Sequence, residues 1–168
     1  MTPVFTRRST MGLLASGTVV AACEPQRFIA YDGPEVTRIA VQKSTRRMHL
    51  LHHSTLLDSY DIALGFAPEG HKTTEGDGRT PEGRYIIDRR NPNSEFYLSI
   101  GISYPNADDM AQARARGVSP GGDIFIHGTP NPWKNRGDWT AGCIAVSNRE
   151  MRHIYAAVRD GTVIDIHA

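Results

Sequence analysis

At 168 residues the chain has room for one domain with a proper core and little space for a second. Hydrophobic residues at 39% and charged residues at 22% give an ordinary globular balance, and a formal net charge of +1 supplies no overall field to recruit nucleic acid. Gly (16) and Pro (10) imply many turns and favour a β-rich fold over a helical bundle.

Residues 1–22 read as an export signal rather than as part of the fold. Arg7-Arg8 form a basic start, and Met11 to Ala22 is an uncharged, largely apolar stretch too short to span a bilayer. Thr6-Arg7-Arg8-Ser9-Thr10-Met11 resembles a twin-arginine signal, with an ordinary secretory signal as the other reading. Val20-Ala21-Ala22-Cys23 resembles a bacterial lipobox, so Cys23 is expected to carry lipid, and 23–35 to be a lipidated cysteine and tether. The expected location is the exported bacterial cell envelope, lipid-anchored and facing the periplasm.

From residue 36 to 168 the pattern is strand and turn. Val36–Val41 alternates and is β-branched, Met48, Leu50 and His52 share one side of the next run, and Tyr60–Gly65 is a third strand. Arg84–Asp88, Phe96–Ile100 and Asp123–His127 follow. Two short helices are predicted. Asn106–Arg116 lies between Pro105 and Gly117. Ser147 to Asp160 starts with capping-box spacing at Ser147 and Glu150, presents Met151, Ile154, Tyr155 and Val158 as one stripe, and stops at Gly161. Thr162–Ile166 is a last strand.

The chemistry concentrates near the end. His127 closes an apolar strand. Cys143 comes 143 − 127 = 16 positions later, after a stretch rich in Pro and Gly that reads as a long functional loop. If Cys23 is lipidated, Cys143 is the single free thiol, and a lone thiol in an oxidising compartment is a candidate nucleophile. A Cys23–Cys143 disulfide is the bland alternative. A neighbouring imidazolium from His127 would lower the Cys143 pKa and later protonate the leaving amine. Backbone N–H groups at Gly142 and Cys143 are candidates for an oxyanion hole.

Ile126-His127-Gly128-Thr129, then Thr140-Ala141-Gly142-Cys143-Ile144, resembles the signature of the YkuD-type L,D-transpeptidase catalytic domain. Gly65-Phe66-Ala67-Pro68-Glu69-Gly70-His71-Lys72 through Gly76-Asp77-Gly78-Arg79-Thr80-Pro81-Glu82-Gly83-Arg84-Tyr85 is similar to a second motif of that family. The resemblance runs from about Val36 to Ile166. It implies a single, mainly β domain of mixed sheets or a sandwich with two short helices. It implies Cys143 as acylated nucleophile, His127 as acid–base and the Gly128 carbonyl as third catalytic element, with Gly142 and Thr140 supporting the turn. The implied substrate is a peptidoglycan stem peptide, attacked at the L-centre of diaminopimelate through a Cys143 thioester, with no cofactor and no metal. Ala141 and Ala145 stand where many members have His and Arg. The Gly-Cys-Ile-Ala-Val form is similar to a branch that includes hydrolases freeing lipoproteins from diaminopimelate, so a hydrolase using the same thiol is the alternative.

Lys72, Arg79, Trp133 and Trp139 are candidate substrate contacts, the two tryptophans as parts of a lid. His49, His52 and His53 fail as a metal site, because in a strand only two of them share a face. A non-catalytic wall-binding lipoprotein is a second class of reading, weakened by an activated thiol that such a module does not need. A thiol–disulfide oxidoreductase is a third, weakened by the absence of C-x-x-C. The expected partners are peptidoglycan and, through the anchor, the membrane, with the protein a monomer.

Overall fold

A computed structural model of the chain describes Met1, residues 26–130 and residues 137–168. The Cys23 lipobox and Trp133 lie outside the described residues.

The strands are β1 (Arg38–Gln42), β2 (Arg47–His52), β3 (Thr55–Asp61), β4 (Gly83–Asn91), β5 (Ser99–Ile102), β6 (Phe125–His127), β7 (Ile144–Ala145) and β8 (Val163–His167), with helices α1 (Ala107–Ala115) and α2 (Asn148–Ala157). The strands form one eight-stranded sheet in the order β3-β2-β1-β8-β4-β5-β6-β7. Most pairs are antiparallel, while β1–β8 and β6–β7 are parallel. β4 makes the sheet bend. Its first half, Gly83–Ile86, pairs with β8, and its second, from Ile87, pairs with β5 across a register shift.

The curl brings the two ends of the sheet together. Beyond β3 the chain continues to Ala63, whose N–H donates to Ala145 O at 2.9 Å while the Ala145 N–H donates back at 2.8 Å. The edge at β7, beside the cysteine, is therefore covered rather than open. The third strand thus lies at Thr55–Asp61, not Tyr60–Gly65. As the outer strand it buries only Tyr60 and shows little alternation for a sequence pattern to catch. The Phe96–Ile100 strand likewise shifts to Ser99–Ile102, because Phe96 and Tyr97 form a turn, and β7 is an addition that two residues cannot announce.

The core is aliphatic and continuous through the sheet, with Ile39, Met48, Leu50, Ile87, Ile100, Ile126 and Ile164 all fully buried. Helix α2 packs on β5 and β6 through Met151 and Ile154. Its start is the predicted capping box: Ser147 Oγ accepts the Glu150 N–H, and Glu150 Oε2 accepts the Ser147 N–H at 2.9 Å. It ends at Ala157, three residues short of Asp160. Val158 turns extended but stays 1% exposed, so its burial needs no helix. Tyr155 is only partly buried. Helix α1 is capped by Asn106 with Asp109, whose carboxylate also accepts the Tyr85 hydroxyl at 3.0 Å and binds His71 Nε2 at 3.0 Å. That network ties α1 to the segment 65–85. No helix among the described residues is long and apolar enough to cross a membrane.

Candidate active site

The parallel pairing of β6 with β7 places Ile126 opposite Ile144 and His127 opposite Ala145. Cys143 immediately precedes β7, so its sulfur falls beside the start of β6, where the Phe125 N–H points at Sγ from 3.4 Å. Phe125 and His127 are two apart on one strand and share a face. With Cys143, Phe96, Glu95 and Asp123 they line a cavity of about 290 Å³. A larger neighbouring cavity, about 390 Å³, is lined by Arg46, Asp138 and Trp139 among others, but by neither Cys143 nor His127. The smaller one holds both Cys143 and His127.

His127 is 3% exposed and its Nδ1 lies 2.7 Å from the Gly128 carbonyl oxygen. A carbonyl only accepts, so Nδ1 carries the proton and Nε2 is left as the basic nitrogen. Phe96 lies over the imidazole at 4.6 Å between ring centres and Trp139 approaches edge-on at 5.6 Å. Burial pushes the His127 pKa below its ordinary value, only partly opposed by the bond to Gly128. Burial also pushes the Cys143 thiol up, against the Phe125 N–H, and Asp123 adds to the rise. Desolvation thus works against both charges of the expected thiolate–imidazolium pair. Cys143 is a free thiol.

The Gly-Cys turn is built by close backbone approach. Gly142 has φ +130, and a Cβ there would sit 2.7 Å from Arg79 O; at Gly65 it would sit 2.0 Å from Gly78 O. Thr140 locks the turn. Its hydroxyl donates to Cys143 O at 2.7 Å and accepts the Gly142 N–H at 3.2 Å. The Gly142 N–H, expected as an oxyanion donor, is thus engaged by Thr140 Oγ1. Gly142→Ala is expected to cost about 1–3 kcal/mol through the strained φ and to slow Cys143 acylation, read as a lower Tm together with a lower rate. Gly128 is equally constrained, a Cβ there falling 2.3 Å from Asn148 Oδ1 and 2.7 Å from Phe96 O.

Of the candidate substrate contacts, Lys72 is reassigned. It is 3% exposed and its ammonium binds Asp77 Oδ1 at 3.0 Å and Thr74 O at 3.1 Å, which makes it a strut of the 72–79 loop. Arg79 is half-buried, and its backbone rather than its guanidinium supports the Gly142 turn. Trp139 joins the site through His127 and Phe96. Phe96 and Asp123 were not among the sequence candidates. Phe96 read as a strand residue, and nothing local to it signals that it covers an imidazole 31 positions away (127 − 96). Among the described residues no group of three His, Cys, Asp or Glu side chains could hold a metal ion, and the His52 and His53 rings meet edge-on at 4.4 Å.

The model of the L,D-transpeptidase catalytic domain, YkuD, matches residues 36–166. The chain belongs to the L,D-transpeptidase catalytic domain family. It is 34% identical over 110 residues to a protein named L,D-transpeptidase YafK from Escherichia coli (strain K12), covering 64% of this chain and 39% of that one. It is 26% identical over 134 residues to one named L,D-transpeptidase YkuD from Bacillus licheniformis, covering 77% of this chain and 64% of that one. Among solved structures it resembles a point mutant of the helical cell shape determining protein Pgp2 from Campylobacter jejuni, with a TM-score of 0.62 and 26% identity over 84% of this chain and 50% of that chain. An L,D-transpeptidase from Xylanimonas cellulosilytica shares the fold at a TM-score of 0.54 and 12% identity, over 82% of this chain and 63% of that one. The domain thus spans under two thirds of each of these relatives.

Proposed function

We propose that this L,D-transpeptidase-family domain is a cysteine acyltransferase of peptidoglycan, acting on stem peptides at the L-centre of diaminopimelate. The observation that carries the reading is a single cavity holding Cys143 and His127, with the Nδ1 proton of His127 pinned on Gly128 so that Nε2 is the free base. In the proposed cycle His127 Nε2 takes the thiol proton as Cys143 Sγ attacks the donor carbonyl. The oxyanion forms at the Cys143 N–H. The carbon–nitrogen bond breaks, and the amine leaves with the proton from His127. The thioester then passes to an acceptor amine, restoring the thiol. With water as acceptor the same thioester gives hydrolysis.

The test is mass spectrometry of diaminopimelate-type tetrapeptide muropeptides and lipoprotein-linked muropeptides, incubated with the protein or with Cys143→Ala. Cross-linked dimers that require Cys143 support transfer to an amine. Cysteine-dependent release without dimers identifies a hydrolase of the detaching kind. No change in either substrate sinks the proposal and favours a wall-binding module.

We also propose that lipid on Cys23 holds the domain at the membrane, facing the periplasm. Cys23→Ala is expected to move the protein from the membrane fraction to the soluble one, and retention in membranes would contradict the anchor.

A further inference from the structure

The segment ahead of the catalytic domain does not hang free over 26–35; it lies along α2. Arg152 donates to Gln26 O at 3.0 Å, the Phe28 ring sits 6.2 Å from Tyr155, and the Tyr31 ring meets His153 edge-on at 5.5 Å. At its start, Arg27 donates from Nη2 to the Tyr97 carbonyl, and its guanidinium carbon stands 5.4 Å from the centre of the Tyr97 ring.

Tyr97 is a place where the backbone needs holding. Its φ is +78, uncommon for a bulky residue, and the Leu98 N–H closes on Phe96 O at 3.1 Å, a positive-φ γ-turn. This turn lays Phe96 over His127 and packs its backbone on Gly128, the residue whose carbonyl orients the imidazole. A strained turn persists only where its surroundings over-determine it.

We infer that Arg27 is a positioning residue of the active site, clamping the Tyr97 turn so that Phe96 stays seated on His127. The inference rests on the reading of Cys143 and His127 as the catalytic pair. It makes the segment ahead of residue 36 part of the catalytic scaffold rather than a leash. Arg27 touches no reacting atom; it acts through Tyr97 and Phe96.

The experiment compares the full chain with Arg27→Ala and Arg27→Lys, reading the His127 titration by NMR and the rate of Cys143 acylation. Charged groups facing the cavity are Glu95 and Asp123, with Arg89 ion-paired to Asp123 at 3.5 Å and Lys72 acting on Cys143 through space. None is altered by these substitutions. With Phe96 loosened, water reaches the imidazole, so its titration should rise towards the ordinary histidine value. Acylation should fall on the order of tenfold from misplacement, and Arg27→Lys should restore part of both. Arg149→Ala, on the exposed side of α2, should move neither readout. If Arg27→Ala does not fold, Arg27→Gln carries the same comparison. In Tyr97→Gly, where glycine takes the positive φ freely, adding Arg27→Ala should change the rate less than twofold. An unmoved His127 titration with acylation within twofold of the parent, or fully additive effects of the Arg27 and Tyr97 changes, overturns the inference. Absence of cysteine-dependent turnover in the parent would instead sink the proposed function, leaving the His127 titration as the test of the clamp.

Discussion

Cys143→Ala should abolish acyl transfer, and His127→Gln should lower it by roughly 10³-fold, within the usual range for loss of a positioned general base. The second substitution is the informative one. Glutamine keeps a donor for Gly128 O but has no basic nitrogen. Were the resting site an ion pair, the same change would also strip the thiolate of its partner and sharply slow alkylation of Cys143 by iodoacetamide. Burial instead disfavours the charged form of both groups. Alkylation of Cys143 in His127→Gln should therefore stay close to the parent rate at neutral pH, while acylation by substrate collapses. The pH profile follows from the same signs. The base must be neutral, and its pKa is depressed, so the acid limb of kcat/KM should lie below the ordinary histidine value near 6.5. The thiol pKa is raised, so no second limb should appear until alkaline pH. A descending limb from a titrating imidazolium between about pH 7 and 9, or equal losses of alkylation and acylation in His127→Gln, would show that the pair is charged before substrate arrives.

That difference between alkylation and acylation also marks where sequence reading stops. Cys143, His127 and the glycines around them were legible as one site because each sits in a short run whose chemistry is local. Gly142 next to Cys143 is one case, and Gly128 beside His127 another. The capped helix α2 was legible for the same reason, since Ser147 and Glu150 are one turn apart. The covering of the imidazole was not legible. It is set by Phe96 and Trp139, which the turn at Tyr97 and the return leg of the loop bring over the imidazole from different parts of the chain. The closure of the sheet was hidden too. It rests on two isolated bridges, Ala63 to Ala145 and Gly65 to Thr140, between residues far apart in the chain. The Pro- and Gly-containing stretch before residue 36 has the composition of a tether, but Arg27, Phe28 and Tyr31 each found a partner on the folded domain. Lys72 shows the opposite error. A lysine in a family-like motif suggested substrate, yet its partner, Asp77, lay five positions on in the same loop.

Asp77→Asn should therefore be the most damaging change outside the catalytic pair, costing about 2–4 kcal/mol from lost charge-assisted hydrogen bonds and a stranded buried ammonium. Its carboxylate accepts N–H groups from Thr73 at 2.8 Å, Thr74 at 3.0 Å and Arg79 at 3.0 Å, besides the Lys72 ammonium at 3.0 Å. Partial burial works against the charge, but these donors outweigh it and hold the Asp77 pKa down at about 2. An asparagine offers one carbonyl oxygen where two carboxylate oxygens served, and leaves Lys72 with Thr74 O alone. The sign of the pH effect is fixed by the depressed value. Stability from Asp77 is fully present above the unfolded carboxyl pKa of about 3.9 and is lost as pH falls through about 2. The gap between parent and Asp77→Asn in urea midpoint should therefore be widest above pH 5 and shrink steadily towards pH 2. A gap independent of pH would mean that the loop is held by packing rather than by this carboxylate. Activity should fall with stability, because the loop carries the catalytic turn on its back: Gly78 O lies against Gly65, and Arg79 O against Gly142. Loosening the Asp77 hub frees the surface on which the Gly142–Cys143 turn is pressed, so the acylation rate should drop even at temperatures where the variant remains folded.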